Sequence, residues 1–149
     1  MKWIGRIKNF TEFIDDYDNG GQKTNLFSSP SIAFSPAIVA GTTINILPVK
    51  NMELSLVSKY VSRQYLDNTE NQARSLDPFF TKDLRVIRTF RIRHVKEFNL
   101  IAQVYNLFDE KYEPNGYTYS YIWGGSTVTE NYYFPMAGRS FIVGVNIKL

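Results

Sequence analysis

Apolar and polar residues alternate strictly in several parts of the chain, and this two-residue period predicts β-strands. The C-terminal segment shows it most clearly, because its apolar positions are Phe141, Val143, Val145, Ile147 and Leu149. Further strands are predicted around Ile38–Ile46, Met52–Tyr60 and Phe98–Val104, and two weaker ones around Leu84–Ile92 and Trp3–Phe13. No sustained helical period occurs, so the pattern predicts an all-β chain with an antiparallel meander of about six strands.

The connections between these segments alternate between long and short. Long polar or aromatic stretches occupy Asp15–Pro36, Ser62–Thr81 and Asp109–Ala137, whereas Pro48–Asn51 and Arg93–Glu97 are short enough for hairpin turns. Outer-membrane β-barrels have short turns at one end and long loops at the other. The order of the connections therefore favours part of a larger transmembrane β-barrel.

A soluble β-protein remains the alternative, because a half-buried strand of a sandwich shows the same alternation as a strand between lipid and water. The alternative is a soluble all-β ligand-binding module, either a small closed barrel or a sandwich. The placement of aromatic residues favours the membrane-barrel interpretation over the soluble one. Aromatic side chains occur where strands pass into long loops, as an interfacial girdle requires, at Tyr60, Tyr65, Tyr105, Phe108 and Tyr112.

Arg88 fits the membrane interpretation least well. It shares its parity with the apolar positions Leu84, Val86 and Phe90. An arginine that faces lipid at mid-depth costs about 2–4 kcal/mol. Three explanations stay open: a bulge in this strand, a partner surface that meets Arg88, or an inward face formed by the even-numbered residues.

Composition narrows the class further. The 149 residues are 44 % hydrophobic and 21 % charged, with a net charge of +3 and no cysteine. Disulfides and cysteine-ligated metals are therefore excluded. No block of lysine and arginine indicates nucleic-acid binding, and no apolar run reaches the roughly 18 residues of a membrane helix. The chain is interpreted as one unit.

We expect no catalytic, cofactor-binding or metal-binding site, and hence no enzyme. His94 is the only histidine and falls in a short turn, so a multi-histidine site cannot form. Two groups of acidic and amide side chains have the composition of a calcium loop and of an acid–base pair, but the first lacks EF-hand spacing and the second lacks any sign of a buried pocket. We expect both groups to be solvated: Asp15, Asp16, Asp18 and Asn19 before the Gly20–Gly21 pair, and Asp67, Glu70 and Asp77.

The longest connection carries the best candidate for ligand contact. Its alternate positions are Tyr117, Tyr119, Tyr121 and Trp123. Aromatic rings offer large, rigid surfaces for stacking on sugars, peptides or chelates. A hairpin that simply packs on its neighbours is the alternative explanation.

Three segments of the chain resemble the C-terminal end of TonB-dependent outer-membrane receptors. They are Tyr60–Thr69, Asn106–Tyr117 and Asn131–Arg139. The second contains the Asn-Leu-Phe-Asp-x-x-Tyr stretch that is widespread in that family on the penultimate strand. The third contains the Pro-Met-Ala-Gly-Arg entry to the last strand. The resemblance covers essentially the whole chain, residues 1–149.

The resemblance implies an outer-membrane barrel of about twenty-two strands with an N-terminal plug, which imports nutrients with energy relayed by TonB. This chain corresponds to the last strands of such a barrel and lacks the plug, so we expect a fragment that does not transport alone. Implied partners are outer-membrane lipid, the remaining barrel and plug, and TonB through the missing N-terminal part. Nucleic acid is not among them.

The last strand implies one more partner. Outer-membrane barrels typically end in alternating apolar residues that the barrel-assembly machinery reads. Phe141, Val143, Val145, Ile147 and Leu149 match that spacing, although the family usually ends in phenylalanine where this chain has Leu149. An ordinary edge strand is the alternative.

Overall fold

The computed structural model describes residues 5–93 and 95–148, and every regular element in them is a β-strand. The all-β prediction is therefore confirmed, but the expected count of about six strands is too low. The structure has β1 (Asn9–Asp16), β2 (Gln22–Ser28), β3 (Val39–Ile46), β4 (Met52–Val61), β5 (Gln64–Tyr65), β6 (Ser75–Leu76), β7 (Phe79–Ile92), β8 (Val95–Tyr105), β9 (Asn115–Trp123), β10 (Ser126–Phe134) and β11 (Ser140–Lys148). None of the residues described forms a helix that could span a membrane.

Five of the predicted strands form one sheet in chain order, β3–β4–β7–β8–β11. The pairing of β8 with β11 is antiparallel and continuous from Tyr105↔Ser140 to Glu97↔Lys148. At the β3–β4 turn, Met52 N–H donates to the Val49 carbonyl at 3.2 Å. This sheet is the expected meander, open at both edges: the described strands do not close into a barrel.

The extra strands come from the stretches that were expected to be long loops. A four-stranded sheet has the order β10–β9–β1–β2, and β5 pairs with β6. β1 is antiparallel to β2 and, through Asp15↔Tyr121, parallel to β9. The expectation for Trp3–Phe13 is corrected here: β1 begins only at Asn9 and belongs to this sheet, and residues 1–4 lie outside the described part. Long connections form strands because their backbone amides and carbonyls need partners once they are shielded from water.

The chain divides into two compact units. The loop unit contains residues 5–39, Val61–Pro78 and Tyr112–Met136, and therefore β1, β2, β5, β6, β9 and β10. The meander unit contains Ala40–Tyr60, Phe79–Lys111 and 137–148, and therefore the five-stranded sheet. Buried apolar side chains of the loop unit include Ile14, Val61, Leu66 and Leu76.

One face of the meander sheet is apolar. The register pairs Leu84 with Val104 and Val86 with Ala102, and on the other side of β8 it pairs Val143 with Ala102. Cross-strand partners point to the same face, so the apolar positions of β7, β8 and β11 form one surface. This surface is exposed: Val143, for example, is 71 % accessible.

The opposite face of the meander sheet is polar. It carries the pairs Arg85↔Gln103 and Thr89↔Asn99, the second joined by a 2.7 Å side-chain hydrogen bond. A hollow of about 320 Å³ on this face is lined mainly by polar side chains, among them Thr43, Asn45, Glu53, Ser55, Arg85 and Gln103. The meander sheet therefore has one apolar face and one polar face.

Candidate functional site

The predicted ligand-contact residues lie on the β9–β10 hairpin of the loop unit. Gly124 and Gly125 form its two-residue turn with φ of 62° and 75°, values that favour glycine and that suit a tight hairpin. The antiparallel register runs from Trp123↔Ser126 to Asn115↔Phe134. Because side chains alternate along β9, the predicted aromatic positions share one face of the hairpin.

The structure extends these positions into a row of aromatic rings. Tyr117 stacks on Tyr132 at 4.9 Å between ring centroids, Tyr132 stacks on Tyr119 at 6.2 Å, and Tyr119 stacks on Tyr121 at 6.0 Å. Tyr17 from the β1–β2 turn meets the Tyr121 ring edge-on at 5.7 Å. We call Phe134, Tyr117, Tyr132, Tyr119, Tyr121 and Tyr17 the aromatic row.

Trp123 shares the parity of the row and is 63 % exposed beside the turn. Sequence reasoning missed Tyr132, Phe134 and Tyr17 as members of the row. The signal for Tyr132 and Phe134 was their two-residue spacing across a Gly-Gly turn from the predicted tyrosines. No local signal marked Tyr17, because its contact depends on the pairing of β1 with β9.

One carboxylate binds three phenols of the row. Glu130 lies opposite Tyr119 in the register and accepts hydrogen bonds from Tyr119 and Tyr121 at 2.8 Å and from Tyr132 at 2.6 Å. These bonds stabilise the carboxylate, so they hold the pKa of Glu130 below its usual value. The same contact with Glu130 raises the pKa of Tyr119, Tyr121 and Tyr132, because a phenolate beside a carboxylate is disfavoured.

Arg74 is a buried charge of the loop unit, and sequence reasoning missed it. Its Nη1 donates to Glu12 at 2.5 Å and to Asp67 at 2.9 Å, and its Nη2 donates to Ser120 Oγ at 2.6 Å. Burial lowers the pKa of Arg74, but the hydrogen bonds to the two carboxylates outweigh it, and the net shift is upward. Asp67, expected to be solvated, is instead half-buried in this ion-pair network.

A hollow of about 440 Å³ lies between the aromatic row and this network. Its lining includes the rings of Phe13, Tyr17, Tyr119 and Tyr121 together with Glu12 and Arg74. Nε of Arg74 and Oγ1 of Thr118 are buried, belong to residues that line the hollow, and have no protein partner. Rings together with unused polar atoms give this hollow the chemistry of a small-molecule contact site.

The remaining carboxylates of the loop unit mostly bind backbone. Asp16 accepts the amides of Asp18 and Asn19, and its hydrogen bonds with Asn19 lower its pKa. Asp18 accepts the amides of Gly124 and Gly125 at 3.0 and 2.7 Å, which ties the β1–β2 turn to the hairpin turn.

The other candidates are dispersed. Glu70 accepts the Ser31 amide at 2.8 Å and the Ser31 hydroxyl, and these bonds lower its pKa. Asp77 is 4.0 Å from Arg63 at the surface. The structure therefore brings Asp67, Glu70 and Asp77 to three different partners, and His94 lies outside the described residues.

The parts of two motif segments that lie in the meander unit, residues 106–111 and 137–139, meet at the start of β11. Asn106 has a φ of 51°; its Oδ1 accepts the Glu110 amide at 2.9 Å, and its own amide donates to Asp83 at 2.9 Å. Asp109 Oδ1 accepts the Arg139 amide at 2.8 Å. The Asn-Leu-Phe-Asp stretch is thus a turn whose carboxylate fixes the backbone that enters the last strand.

The predicted assembly signal lies on the apolar face of β11. Phe141, Val143, Val145 and Ile147 pair with Val104, Ala102, Leu100 and Phe98 on β8. All four are exposed on the outer edge strand of the sheet. Leu149, the fifth residue of the signal, lies outside the described residues.

No protein-family model, no curated protein and no solved structure matches this chain.

Proposed function

We propose that the chain forms the C-terminal part of the barrel wall of a TonB-dependent outer-membrane receptor that takes part in energised nutrient uptake. The observation that carries this proposal is the amphipathic meander sheet. Its apolar face is exposed and continuous over neighbouring strands, while its other face is polar. A wall strand of an outer-membrane barrel has this arrangement, with lipid on one side and an aqueous or plugged interior on the other.

A soluble ligand-binding module accounts for this face less well. Phe141, Val143, Val145 and Ile147 are each more than half exposed on adjacent positions of one surface. Burying one such side chain is worth about 1.5–3 kcal/mol, so a soluble sandwich would cover the surface with a second sheet. Contiguous apolar patches of this kind mark membrane or protein contacts.

The edges of the sheet also favour a larger barrel. β3 and β11 are the outer strands, so each presents backbone groups without a sheet neighbour. An unsatisfied backbone group in lipid costs several kcal/mol, and a membrane sheet therefore needs neighbours at both edges. The remaining barrel supplies them in this proposal, which is why the chain alone is not expected to transport.

The loop unit then forms external loops, and its aromatic row is the surface proposed to contact the nutrient. The apolar face of β11 is the part proposed to be read by the barrel-assembly machinery. Lipid, the rest of the barrel and the plug are the other proposed partners, with TonB acting through the N-terminal part.

Fractionation of the cells that make the protein tests this proposal. An antibody against the segment from Tyr117 to Glu130 reports both compartment and mass. The proposal predicts an outer-membrane band several times heavier than the 17.3 kDa of this chain. A soluble band at 17.3 kDa would contradict it and favour the ligand-binding module.

A further inference from the structure

Arg88 is a charged residue on the apolar face of the meander, and Lys82 on the same strand shares its parity. The β7–β8 register is regular from Leu84↔Val104 to Phe90↔Phe98 and shifts only beyond Phe90. A bulge therefore does not turn Arg88 away, and Arg88 pairs with Leu100 on this face. The strand does have an irregularity, as the first of the three sequence-based explanations supposed, but it lies beyond Phe90 and does not account for the facing of Arg88.

The side chain of Arg88 reaches the β3–β4 turn. Its Nη1 donates to the carbonyl of Lys50 at 3.1 Å, and its guanidinium lies 5.8 Å from the centre of the Phe90 ring. The Thr89 amide donates to the Asn51 carbonyl at 2.9 Å, which places this part of β7 level with the turn. Arg88 thus lies at the short-turn end of the sheet, where a long cationic side chain can extend to a membrane interface.

The surroundings of Arg88 are basic. Lys50, Arg91, Arg93 and Lys96 are exposed in or beside the two short turns. Over its described residues the meander unit has eleven lysines and arginines against five aspartates and glutamates, whereas the loop unit has five against nine. The positive potential is therefore concentrated in the unit that carries the apolar face, and it favours an anion there.

The turn also offers apolar contact beside this charge. Leu47 and Val49 are 76 % and 54 % exposed. A ligand that suits both features has a negatively charged headgroup and acyl chains. Arginine binds phosphate oxygens through a planar fork of N–H donors. In the contacts above, only Nη1 of Arg88 donates to the Lys50 carbonyl.

We infer that Arg88 and Lys50 form a binding site for the headgroup of an acidic phospholipid at the short-turn end of the barrel wall. This inference rests on the proposed function, because the apolar face must lie in a bilayer. The phosphate accepts hydrogen bonds from Arg88, the Lys50 ammonium adds charge, and the acyl chains lie along Val86 and Leu100.

Lipid titration of the protein extracted from its own membrane tests the site. The protein is stripped of lipid in mild detergent and titrated with phosphatidylglycerol or phosphatidylcholine, and bound lipid is counted by native mass spectrometry. We expect Arg88→Gln and Lys50→Gln each to weaken phosphatidylglycerol binding about fivefold, since one basic residue near a lipid surface contributes about that much. Arg85→Gln is the matched control, because Arg85 lies on the same strand but on the polar face.

Equal phosphatidylglycerol affinity in Arg88→Gln, Lys50→Gln and Arg85→Gln would overturn the site while leaving the barrel proposal intact. Equal binding of phosphatidylcholine by the unsubstituted protein would do the same. Competition by inorganic phosphate as effective as that of lipid would overturn the lipid assignment. Absence of the protein from the membrane fraction would overturn both proposals.

Discussion

The guanidinium of Arg74 binds two carboxylates that are far apart in the sequence, Glu12 on β1 and Asp67 after β5. Nothing around Arg74 in the sequence marks it, because its partners are brought together only by the pairing of β1 and β9 and by the β5–β6 hairpin. The tyrosines could be predicted, since their spacing follows the local period of a strand. Local pattern therefore predicts which residues share a face, but not which charge becomes buried.

Replacing Arg74 tests its role in holding the loop unit together. Arg74→Met leaves two half-buried carboxylates without their cation, so we expect the free energy of unfolding to fall by about 3–5 kcal/mol. Urea unfolding followed by tryptophan fluorescence measures it. Arg63→Met is the control: its contact with Asp77 is exposed and 4.0 Å long, so its loss should cost under about 1 kcal/mol. Equal losses in the two variants would contradict the role.

Glu130 changes the pH at which three tyrosines of the aromatic row lose their protons. It raises the pKa of Tyr119, Tyr121 and Tyr132 above the ordinary 10.0. The phenol hydrogen bonds therefore stabilise the fold fully below pH 10.0, and this contribution is lost as pH rises through the raised values. The pKa of Glu130 is lowered, so its contribution is present above its ordinary 4.5 and is lost as pH falls through the folded value.

Glu130→Gln removes the carboxylate and should bring phenolate formation by these three tyrosines back towards pH 10.0. Near-ultraviolet absorbance of the phenolate measures the shift. Glu113→Gln, before β9, is the control and should leave the absorbance curve where it was. A curve unchanged by Glu130→Gln would refute the shared-carboxylate arrangement.

At the scale of elements, the five meander strands were predictable, and of the loop strands only β1 was predicted in part, by the segment Trp3–Phe13. The meander strands have one apolar face, and this imposes strict alternation, as in Phe98–Val104. Strands β2, β5 and β6 are short or polar, so they carry little periodic signal and form through tertiary pairing. The loop hairpin β9–β10 was visible as an aromatic series but was not assigned as two strands.

The junction between the β8 exit turn and β11 gives a prediction at this scale. A Cβ on Gly138 would overlap Asp109 Oδ1, and that oxygen accepts a hydrogen bond from the Arg139 amide. We expect Gly138→Ala to disturb this hydrogen bond and to lower the free energy of unfolding by about 1–3 kcal/mol.

Gly144→Ala is the matched control on β11, because nothing lies within 4 Å of its added Cβ. It should be neutral or stabilise by up to about 1 kcal/mol. Thermal unfolding of the two variants distinguishes them. A Gly138→Ala variant as stable as Gly144→Ala would show that the Asp109–Arg139 contact does not fix the entry to the last strand.

At the scale of the whole molecule, the sequence was sufficient for the strand period and for the alternation of short and long connections. It could not place Arg88, because the position of a bulge and the reach of a side chain to the Lys50 carbonyl depend on the assembled sheet. The alternation alone also could not distinguish a strand whose apolar face contacts lipid from one whose apolar face contacts a second sheet. The exposed apolar face and the open sheet edges favour lipid in the proposal made here.

The most direct test is the environment of alternate residues on β11. The chain has no cysteine, so single cysteines can be introduced at Val143, Gly144, Val145 and Asn146 of the protein in its native membrane and spin-labelled. The account predicts high collision rates with oxygen, which concentrates in lipid, at Val143 and Val145. It predicts lower rates at Gly144 and Asn146 on the polar face. Collision rates without this two-residue alternation would contradict the barrel-wall account.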